Sequence, residues 1–194
     1  YQPVDASLQQ SYKQQRDISA DQQVLLVTGG SLGAHRVNAA VKQLAPSLLE
    51  SYPQPYIVHQ VGKGNQQTHG EYQHDRLRVV EFLQPMYVYT GCADVVLTRA
   101  GANTLAELGV QGKACIVVPN PVLTGGHQLK NAAHLADKGA VLVVQDEGLQ
   151  KDTAELDLAI RALLDSSDQR QQLGQALQSI TVPDAAHKLA VVLL

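Results

Sequence analysis

The sequence predicts an α/β domain with a doubly wound sheet of about six parallel strands, covered by helices on both faces. Short apolar runs rich in β-branched residues alternate along the chain with stretches of helical periodicity. These runs are apolar throughout rather than at every second position, which is typical of parallel strands buried on both faces. A chain of 194 residues has the length of one such domain and can bury a full core without disulfides.

The strands and helices follow one another in a regular order. The apolar runs predict strands over 24–28, 56–61, 77–81, 94–98, 114–118 and 140–144. Helical spacing predicts helices over 34–50, 85–92, 101–110 and from about 127 to 138, with two or three more after residue 152. The first of these helices has Val37, Val41, Leu44 and Leu48 three or four residues apart, and the prolines at 53 and 55 end it.

Composition excludes several classes of protein. A net charge of -3 gives no electrostatic case for binding nucleic acid, which favours a basic surface. The two isolated cysteines, Cys92 and Cys115, cannot form a disulfide framework or a four-cysteine zinc site. No apolar run approaches the ~18 residues of a membrane-spanning helix, and the first residues lack the basic-then-apolar layout of a signal peptide.

In a doubly wound sheet the ligand lies beyond the carboxyl ends of the strands, so the loops that follow the strands are the candidate site. Loop 1 (29–33, GGSLG) brings backbone close to a ligand, and the helix after it offers free N–H groups to an anion. Packing alone is the alternative role for these glycines. The loop matches neither a Walker motif nor G-x-G-x-x-G, and strand two ends in His59-Gln60-Val61 without the acid that a nicotinamide site requires.

Loops 3 and 4 each allow a functional and a structural interpretation. Loop 3 (81–86) holds the only Phe and the only Met, which could line a slot for a planar base, although a plain core position for Phe82 is at least as probable by residue statistics. In loop 4 (99–107), Asn103 or Thr104 could cap the helix. Thr104-x-x-Glu107 forms a capping-box pattern, which is favoured from the residues alone, whereas the functional alternative has Glu107 accept two sugar hydroxyls.

Loop 5 (119–128) is stiffened by two prolines and ends in two glycines before a helix that starts near His127. His127, Gln128 and Asn131 cluster at this helix start and can hydrogen-bond a polyol, while a solvated cap is the structural alternative for His127. His127 and His134 share a helical face, but no third ligand accompanies them, so we predict no metal site.

Five segments in order carry a resemblance to a known family. They are LLVTGGSLGAHRVNAAV, HQVGKGNQQ, VVEFLQPM, ADVVLTRAGANTLAELGVQGKACIVVPNP and HQLKNAAHLADKGAVLVV. Together, over about residues 22–145, they resemble the C-terminal domain of MurG-type glycosyltransferases of family 28, the UDP-N-acetylglucosamine transferases of peptidoglycan lipid II synthesis.

The resemblance implies a Rossmann-like three-layer domain that forms one half of a GT-B fold. It implies inverting, cofactor-independent and metal-independent transfer of GlcNAc from UDP-GlcNAc to undecaprenyl-diphosphate-muramoyl-pentapeptide, by a cytoplasmic enzyme peripheral at the inner face of the cell membrane. The acceptor site and the general base belong to an N-terminal domain that this chain lacks, so we expect no catalytic residue here and an inactive isolated domain. We therefore interpret 1–20 as an interdomain connector, 21–182 as the UDP-sugar-binding domain, and 183–194 as a C-terminal helix, either truncated or docked elsewhere.

The same resemblance assigns substrate-binding roles by motif. Loop 1 faces the diphosphate and sugar, the backbone of loop 3 meets the uracil, the start of the loop-4 helix meets the phosphates, and Glu107 shifts from cap to ribose ligand. Gln128 contacts the GlcNAc. The implied substrate-binding residues are Gly30, Ser31, Gly33, Leu83, Ala102, Asn103, Thr104, Glu107, His127, Gln128 and Asn131.

Two positions depart from the family pattern. His127-Gln128 stands where Gln-Gln is common, although a His-Gln pair also occurs in the soluble subunit of the eukaryotic dolichol-linked GlcNAc transferase. Asp5 stands where the family's linker usually has an arginine near the diphosphate. Two alternative functions stay open: a complete UDP-GlcNAc-binding subunit that acts with a separate membrane partner, and a protein like the non-hydrolysing UDP-sugar epimerases.

Overall fold

The computed structural model describes residues 1–30 and 33–182 of the chain. A single six-stranded sheet, parallel at every pairing, runs through it in the order β3-β2-β1-β4-β5-β6. The strands are β1 (Gln23–Thr28), β2 (Pro55–Gln60), β3 (Leu77–Val80), β4 (Val95–Thr98), β5 (Ala114–Val117) and β6 (Leu142–Val143). The predicted doubly wound parallel sheet of about six strands is confirmed.

Seven α-helices pack around this sheet in the described residues. They are α1 (Ala6–Gln14), α2 (His35–Ser51), α3 (Met86–Cys92), α4 (Ala102–Val110), α5 (His127–Asp137), α6 (Ala154–Asp165) and α7 (Ser167–Ile180). No helix in this part of the chain is long and apolar enough to cross a lipid bilayer. The predicted C-terminal helix over 183–194 lies outside the described residues.

The core divides into two apolar layers, one on each face of the sheet. Along β1, Leu25 and Val27 pack into the layer under α2 and α6, whereas Val24 and Leu26 pack into the layer under α1, α3, α4 and α7. Both faces of the central strands β1, β4 and β5 are buried, which explains why their sequences are almost continuously apolar. This arrangement is the predicted three-layer architecture.

The segment predicted as a connector contains helix α1, which the polar residues 1–20 did not reveal. Tyr12 of α1 packs against Gly91 of α3, where a Cβ atom would collide with the tyrosine ring. Lys13 forms an ion pair with Asp94 at 3.1 Å, just before β4. Asp5 accepts a hydrogen bond from the N–H of Leu8 at 2.8 Å and so caps α1. The acid at this departure from the family pattern therefore stabilises a helix.

Strand β6 is shorter than predicted. The sequence indicated a strand over 140–144, but only Leu142–Val143 pair in the ladder. Within residues 1–30 and 33–182, β6 is at the edge of the sheet and pairs with β5 alone, so fewer of its residues find strand partners. Ala140, Val141 and Val144 are buried all the same, which accounts for the longer apolar run.

Candidate functional site

The order of the strands reverses between β1 and β4, which are neighbours in the sheet although two strands separate them along the chain. Thr28 at the end of β1 pairs in register with Thr98 at the end of β4. Loop 1 and loop 4 begin immediately after these two residues, so they lie side by side at the carboxyl edge of the sheet. This switch point is where doubly wound sheets bind their ligands.

Two of the described glycines of loop 1 lead toward the start of α2. Gly30 and Gly33 have φ of 82° and 77°, a region that favours glycine. A Cβ atom at Gly30 would meet nothing within 4 Å, whereas one at Gly33 would collide with the carbonyl oxygen of Val61. The N-cap of α2, Ala34, makes no side-chain cap hydrogen bond, so the helix can direct backbone N–H groups and its positive dipole end at an anion. The predicted site residue Ser31 lies outside the described residues.

Two polar residues that the sequence analysis did not single out hold loop 1. The Thr28 hydroxyl donates to Gln60 Oε1 at 3.1 Å and accepts from the N–H of Gly30 at 3.3 Å. Gln60 Nε2 in turn donates to the carbonyl oxygen of Gly30 at 3.4 Å. The available signal was a glutamine in a mainly apolar strand, because a buried amide requires partners.

Loop 4 leads into a second helix, α4, whose N-terminus also lies at the carboxyl edge of the sheet. Helix α4 begins at Ala102 after the N-cap Gly101, which makes no side-chain cap bond. Ala102 and Asn103 are exposed and Thr104 is half-buried. The capping box favoured from the residues alone is wrong, and neither Asn103 nor Thr104 caps the helix, because the helix starts earlier than that pattern requires. The start of α4 therefore also has N–H groups to offer an anion.

Glu107 lies one turn farther into α4 and accepts a hydroxyl group. The hydroxyl of Tyr1 donates to its carboxylate; burial, and then this contact with Glu107, raise the pKa of Tyr1 above its ordinary value. One turn on, the amide of Gln111 donates to the carbonyl oxygen of Tyr87 in α3 at 2.9 Å. Residues four apart share a helix face, so Glu107 faces the side of the domain where loop 3 enters α3.

Loop 3 exposes one apolar ring and buries its neighbour. Phe82 is 60% exposed and Leu83 only 2% exposed. The core position considered for Phe82 is therefore wrong, and Leu83 fills the core instead. With its side chain committed to packing, Leu83 can present only backbone groups to a ligand, while the face of Phe82 is open to a planar one.

One side-chain amide closes loop 5 on itself, and a second, from the helix that follows, joins it to loop 4. Helix α5 begins at His127 as predicted, and its N-cap is Gly126 with φ of 79°. Gln128 Oε1 accepts from the N–H of Asn120 at 2.9 Å, and Asn131 Nδ2 donates to the carbonyl oxygen of Ala100 at 3.1 Å. Asn131 therefore holds α5 against loop 4, and His127 is exposed at the helix start. Among residues 1–30 and 33–182 no three His, Cys, Asp or Glu side chains are placed to hold a metal ion.

An ionic cluster, made of Arg36, Arg99 and Asp146, links three chain segments behind this edge. The two carboxylate oxygens of Asp146 each accept from one guanidinium, of Arg36 in the first turn of α2 and of Arg99 after β4. Arg99 also donates to the carbonyl oxygen of Val118 at 3.1 Å. Sequence inspection missed this cluster because its members lie on three separate segments.

The chain is similar to a known family over most of its length. Residues 24–189 match the family described as the glycosyltransferase family 28 C-terminal domain. The UDP-N-acetylglucosamine--N-acetylmuramyl-(pentapeptide) pyrophosphoryl-undecaprenol N-acetylglucosamine transferase of Salinibacter ruber is 36% identical over 176 residues, which are 90% of this chain and 46% of that protein.

Solved structures show the same similarity. The crystal structure of Acinetobacter baumannii MurG aligns with a TM-score of 0.72 and 25% identity, over 93% of this chain and 52% of that one. The S. aureus MnaA–UDP co-structure shares the fold, with a TM-score of 0.69 and 16% identity over 96% of this chain and 48% of that one. The chain thus spans about half the length of the relatives it matches.

Proposed function

Because the chain belongs to the glycosyltransferase family 28 C-terminal domain family, we propose that it is the donor-binding half of an inverting hexosyltransferase and binds UDP-N-acetylglucosamine. The Salinibacter ruber relative is named for transfer of N-acetylglucosamine to N-acetylmuramyl-(pentapeptide) pyrophosphoryl-undecaprenol, and we assign the same reaction to the whole protein. Acceptor binding and the general base then belong to the other half. A lipid-linked acceptor would hold the enzyme at the inner face of the cell membrane.

One observation carries this proposal: two uncapped helix starts, of α2 and α4, meet where the strand order reverses. A nucleotide diphosphate lying across the switch point would receive N–H groups and positive dipole ends from both helices. In glycosyl transfer the departing UDP gains negative charge, and preorganised N–H dipoles act where charge develops. The open space at Gly30 leaves room for the phosphates. These groups can stabilise the leaving group without a metal ion.

The nucleoside and the sugar have complementary residues on either side. Phe82 offers an open ring face and Leu83 its backbone, which suits a uracil base. Glu107 accepts the Tyr1 hydroxyl, and we propose that the ribose hydroxyls replace that donor. On the other side, His127, Gln128 and Asn131 bring polar side chains to the start of α5, where we place the N-acetylglucosamine.

Titration calorimetry of this domain tests the proposal directly. We expect UDP and UDP-N-acetylglucosamine to bind, ADP to bind more weakly, and EDTA to leave each affinity unchanged. No binding of either uridine ligand at millimolar concentration would refute the proposal, and binding that needs a divalent cation would refute its metal-independent form. Proton NMR of UDP-N-acetylglucosamine incubated with the domain separates the epimerase alternative, which would convert the sugar.

A substitution at Glu107 tests its assignment to the ribose. Losing a hydrogen bond to a charged acceptor costs about 1–3 kcal/mol, so we expect Glu107→Ala to weaken UDP binding by that amount. The matched control is Glu50→Ala, because Glu50 is exposed near the far end of α2. The sharper comparison uses 2′,3′-dideoxy-UDP, which should bind wild type and Glu107→Ala equally. A variant that still prefers UDP over the dideoxy ligand to the wild-type extent would contradict the assignment.

A further inference from the structure

Three buried polar side chains lie in line behind loop 1, and we call them the neutral chain: Asn38, His59 and His69. Each is almost fully buried, and His59 is completely so. His59 Nδ1 lies 2.9 Å from His69 Nε2, and His59 Nε2 lies 3.1 Å from Asn38 Oδ1. Asn38 Nδ2 completes the line by donating to the carbonyl oxygen of Val61 at 2.8 Å. None of these three residues has a role in the site as described so far.

The direction of these hydrogen bonds follows from the carbonyl at one end. A carbonyl oxygen only accepts, so the amide nitrogen of Asn38 must face Val61 and its Oδ1 must face His59. His59 Nε2 therefore carries a proton. Burial, and then the neighbouring His69, lower the pKa of His59 to about 3, so the ring is neutral and its Nδ1 accepts.

The second histidine continues the same direction. Because His59 Nδ1 accepts, His69 Nε2 must donate to it. Burial, and then Lys42, lower the pKa of His69, so its Nδ1 carries a lone pair. Within the described residues that nitrogen is buried without a hydrogen-bond partner. The reversed chain would set the oxygens of Asn38 and Val61 face to face.

The neutral chain ends where loop 1 rests on strand β2. Gly33 packs so closely on the carbonyl group of Val61 that a Cβ atom would collide with its oxygen. The N–H of Val61 donates to the carbonyl oxygen of Val80 at 2.9 Å, which joins Val61 to β3. Asn38 lies in the first turn of α2. Its amide therefore fixes the distance between the start of α2 and the carbonyl on which the glycine loop rests.

We infer that Asn38, His59 and His69 are positioning residues for the diphosphate: a one-directional hydrogen-bond chain, with both rings as Nε2–H tautomers, sets the position of Gly33 and the start of α2 against Val61 at the end of β2. The inference rests on the proposed function only for the identity of the ligand. The tautomers and the geometry of the loop are properties of the ligand-free domain.

Long-range proton–nitrogen NMR of the histidine-labelled, ligand-free domain reads the tautomers without any substitution. We expect the Nε2–H pattern for both His59 and His69 at pH 7. Signals are assigned by the loss of one set in His59→Gln. An Nδ1–H pattern at His59, or a charged ring, would overturn the inference whether or not the domain binds UDP.

Affinity for UDP tests the positioning role. His59→Leu leaves Asn38 Oδ1 without its donor, and we expect UDP to bind about tenfold more weakly. His59→Gln can still donate to Asn38 and accept from His69, so its affinity should stay within about twofold of wild type. The matched control is His134→Leu, because His134 is exposed in the last turn of α5 and lies outside the neutral chain. The amide signal of Gly33 should move in His59→Leu and not in His134→Leu.

These outcomes separate the two proposals. If wild type shows the expected tautomers but binds no UDP, the proposed function fails and the hydrogen-bond chain stands. If a folded His59→Leu binds UDP as tightly as wild type, the positioning role is overturned. Should His59→Leu not fold, Asn38→Ser replaces it, since it removes the donor to Val61; the same tenfold loss is expected, and an unchanged affinity overturns the role.

Discussion

Two polar clusters hold the same edge of the sheet by different means. The neutral chain and the ionic cluster both begin in the first turn of α2, at Asn38 and Arg36. The neutral chain reaches toward β2 through fully buried groups, whereas the ionic cluster reaches toward β4 and β6, and the Arg36 side chain remains 34% exposed. One cluster is built from directional hydrogen bonds and the other from paired charges.

This difference shows that an anion site can obtain its geometry from one cluster and its positive charge from another. The neutral chain fixes the position of loop 1 and adds no charge there. The ionic cluster pairs two guanidiniums with the single carboxylate of Asp146, so it leaves one positive charge in excess near the helix starts. We therefore expect the two clusters to respond differently to loss of a charge, to a change in backbone shape, and to pH.

Loss of the carboxylate charge should have the largest effect. Asp146→Asn keeps the shape but leaves two guanidiniums facing each other, and removing one partner of a buried pair costs about 3–5 kcal/mol. We expect the lower end, because Arg36 is partly solvated. Urea unfolding measures the free energy of unfolding. The control Asp157→Asn breaks the i,i+4 pair with Arg161 on the surface of α6, where both side chains are 27% exposed, and should cost less than about 0.5 kcal/mol. Equal losses would mean that the ionic cluster is no more important to stability than this surface pair.

A pair of glycine substitutions tests the contact that the neutral chain supports. Gly30 and Gly33 both have positive φ, so alanine at either position carries about 1 kcal/mol of backbone strain. Only at Gly33 does the added Cβ also collide with Val61. We expect Gly33→Ala to lower the free energy of unfolding by about 3 kcal/mol and Gly30→Ala by about 1 kcal/mol. Equal effects would mean that loop 1 does not rest on β2.

The fold could be predicted because its signals are local. Each predicted strand is a mainly apolar run, and so are its pairing partners, so the pattern alone locates five of the strands to within one residue and the sixth to within two. Helix α1 could not be found this way. Its anchor, Tyr12, depends on the absence of a side chain at Gly91, some 79 residues away in sequence by their numbering. Such complementarity leaves no periodic pattern.

The candidate site was only partly predictable for the same reason. The loops themselves follow from strand ends, but Glu107 and Thr104 form a capping pattern that the helix start at Ala102 overrides. His59 and Gln60 stood out only as polar residues in a buried strand. Their partners, Asn38 and Thr28, lie 21 and 32 residues away, and only the fold brings them together. Buried polar residues in otherwise apolar strands are the signal to follow.

A smaller effect than the losses expected for Asp146→Asn and Gly33→Ala is a dependence of stability on pH that belongs to the neutral chain. The pKa of His59 is about 3 in the folded state, against about 6.5 in an unfolded chain. Between these values the unfolded state binds more protons, so stability falls as pH decreases. Burial is the main cause of the lowered pKa of both rings; His69 further disfavours a proton on His59, and Lys42 further disfavours one on His69. We expect a loss of about 2 kcal/mol between pH 7 and pH 5.

The variant His59→Gln isolates the contribution of the His59 ring to this pH dependence, because the glutamine amide can keep both hydrogen bonds and does not titrate. Its free energy of unfolding, measured in urea at several pH values, should lose about 2 kcal/mol less than wild type over the same range. Asp157→Asn should keep the wild-type dependence, since it leaves the neutral chain intact. A wild-type protein with level stability from pH 7 to pH 5 would mean that His59 is charged or solvated in the folded state. The position of Gly33 would then not depend on the neutral chain.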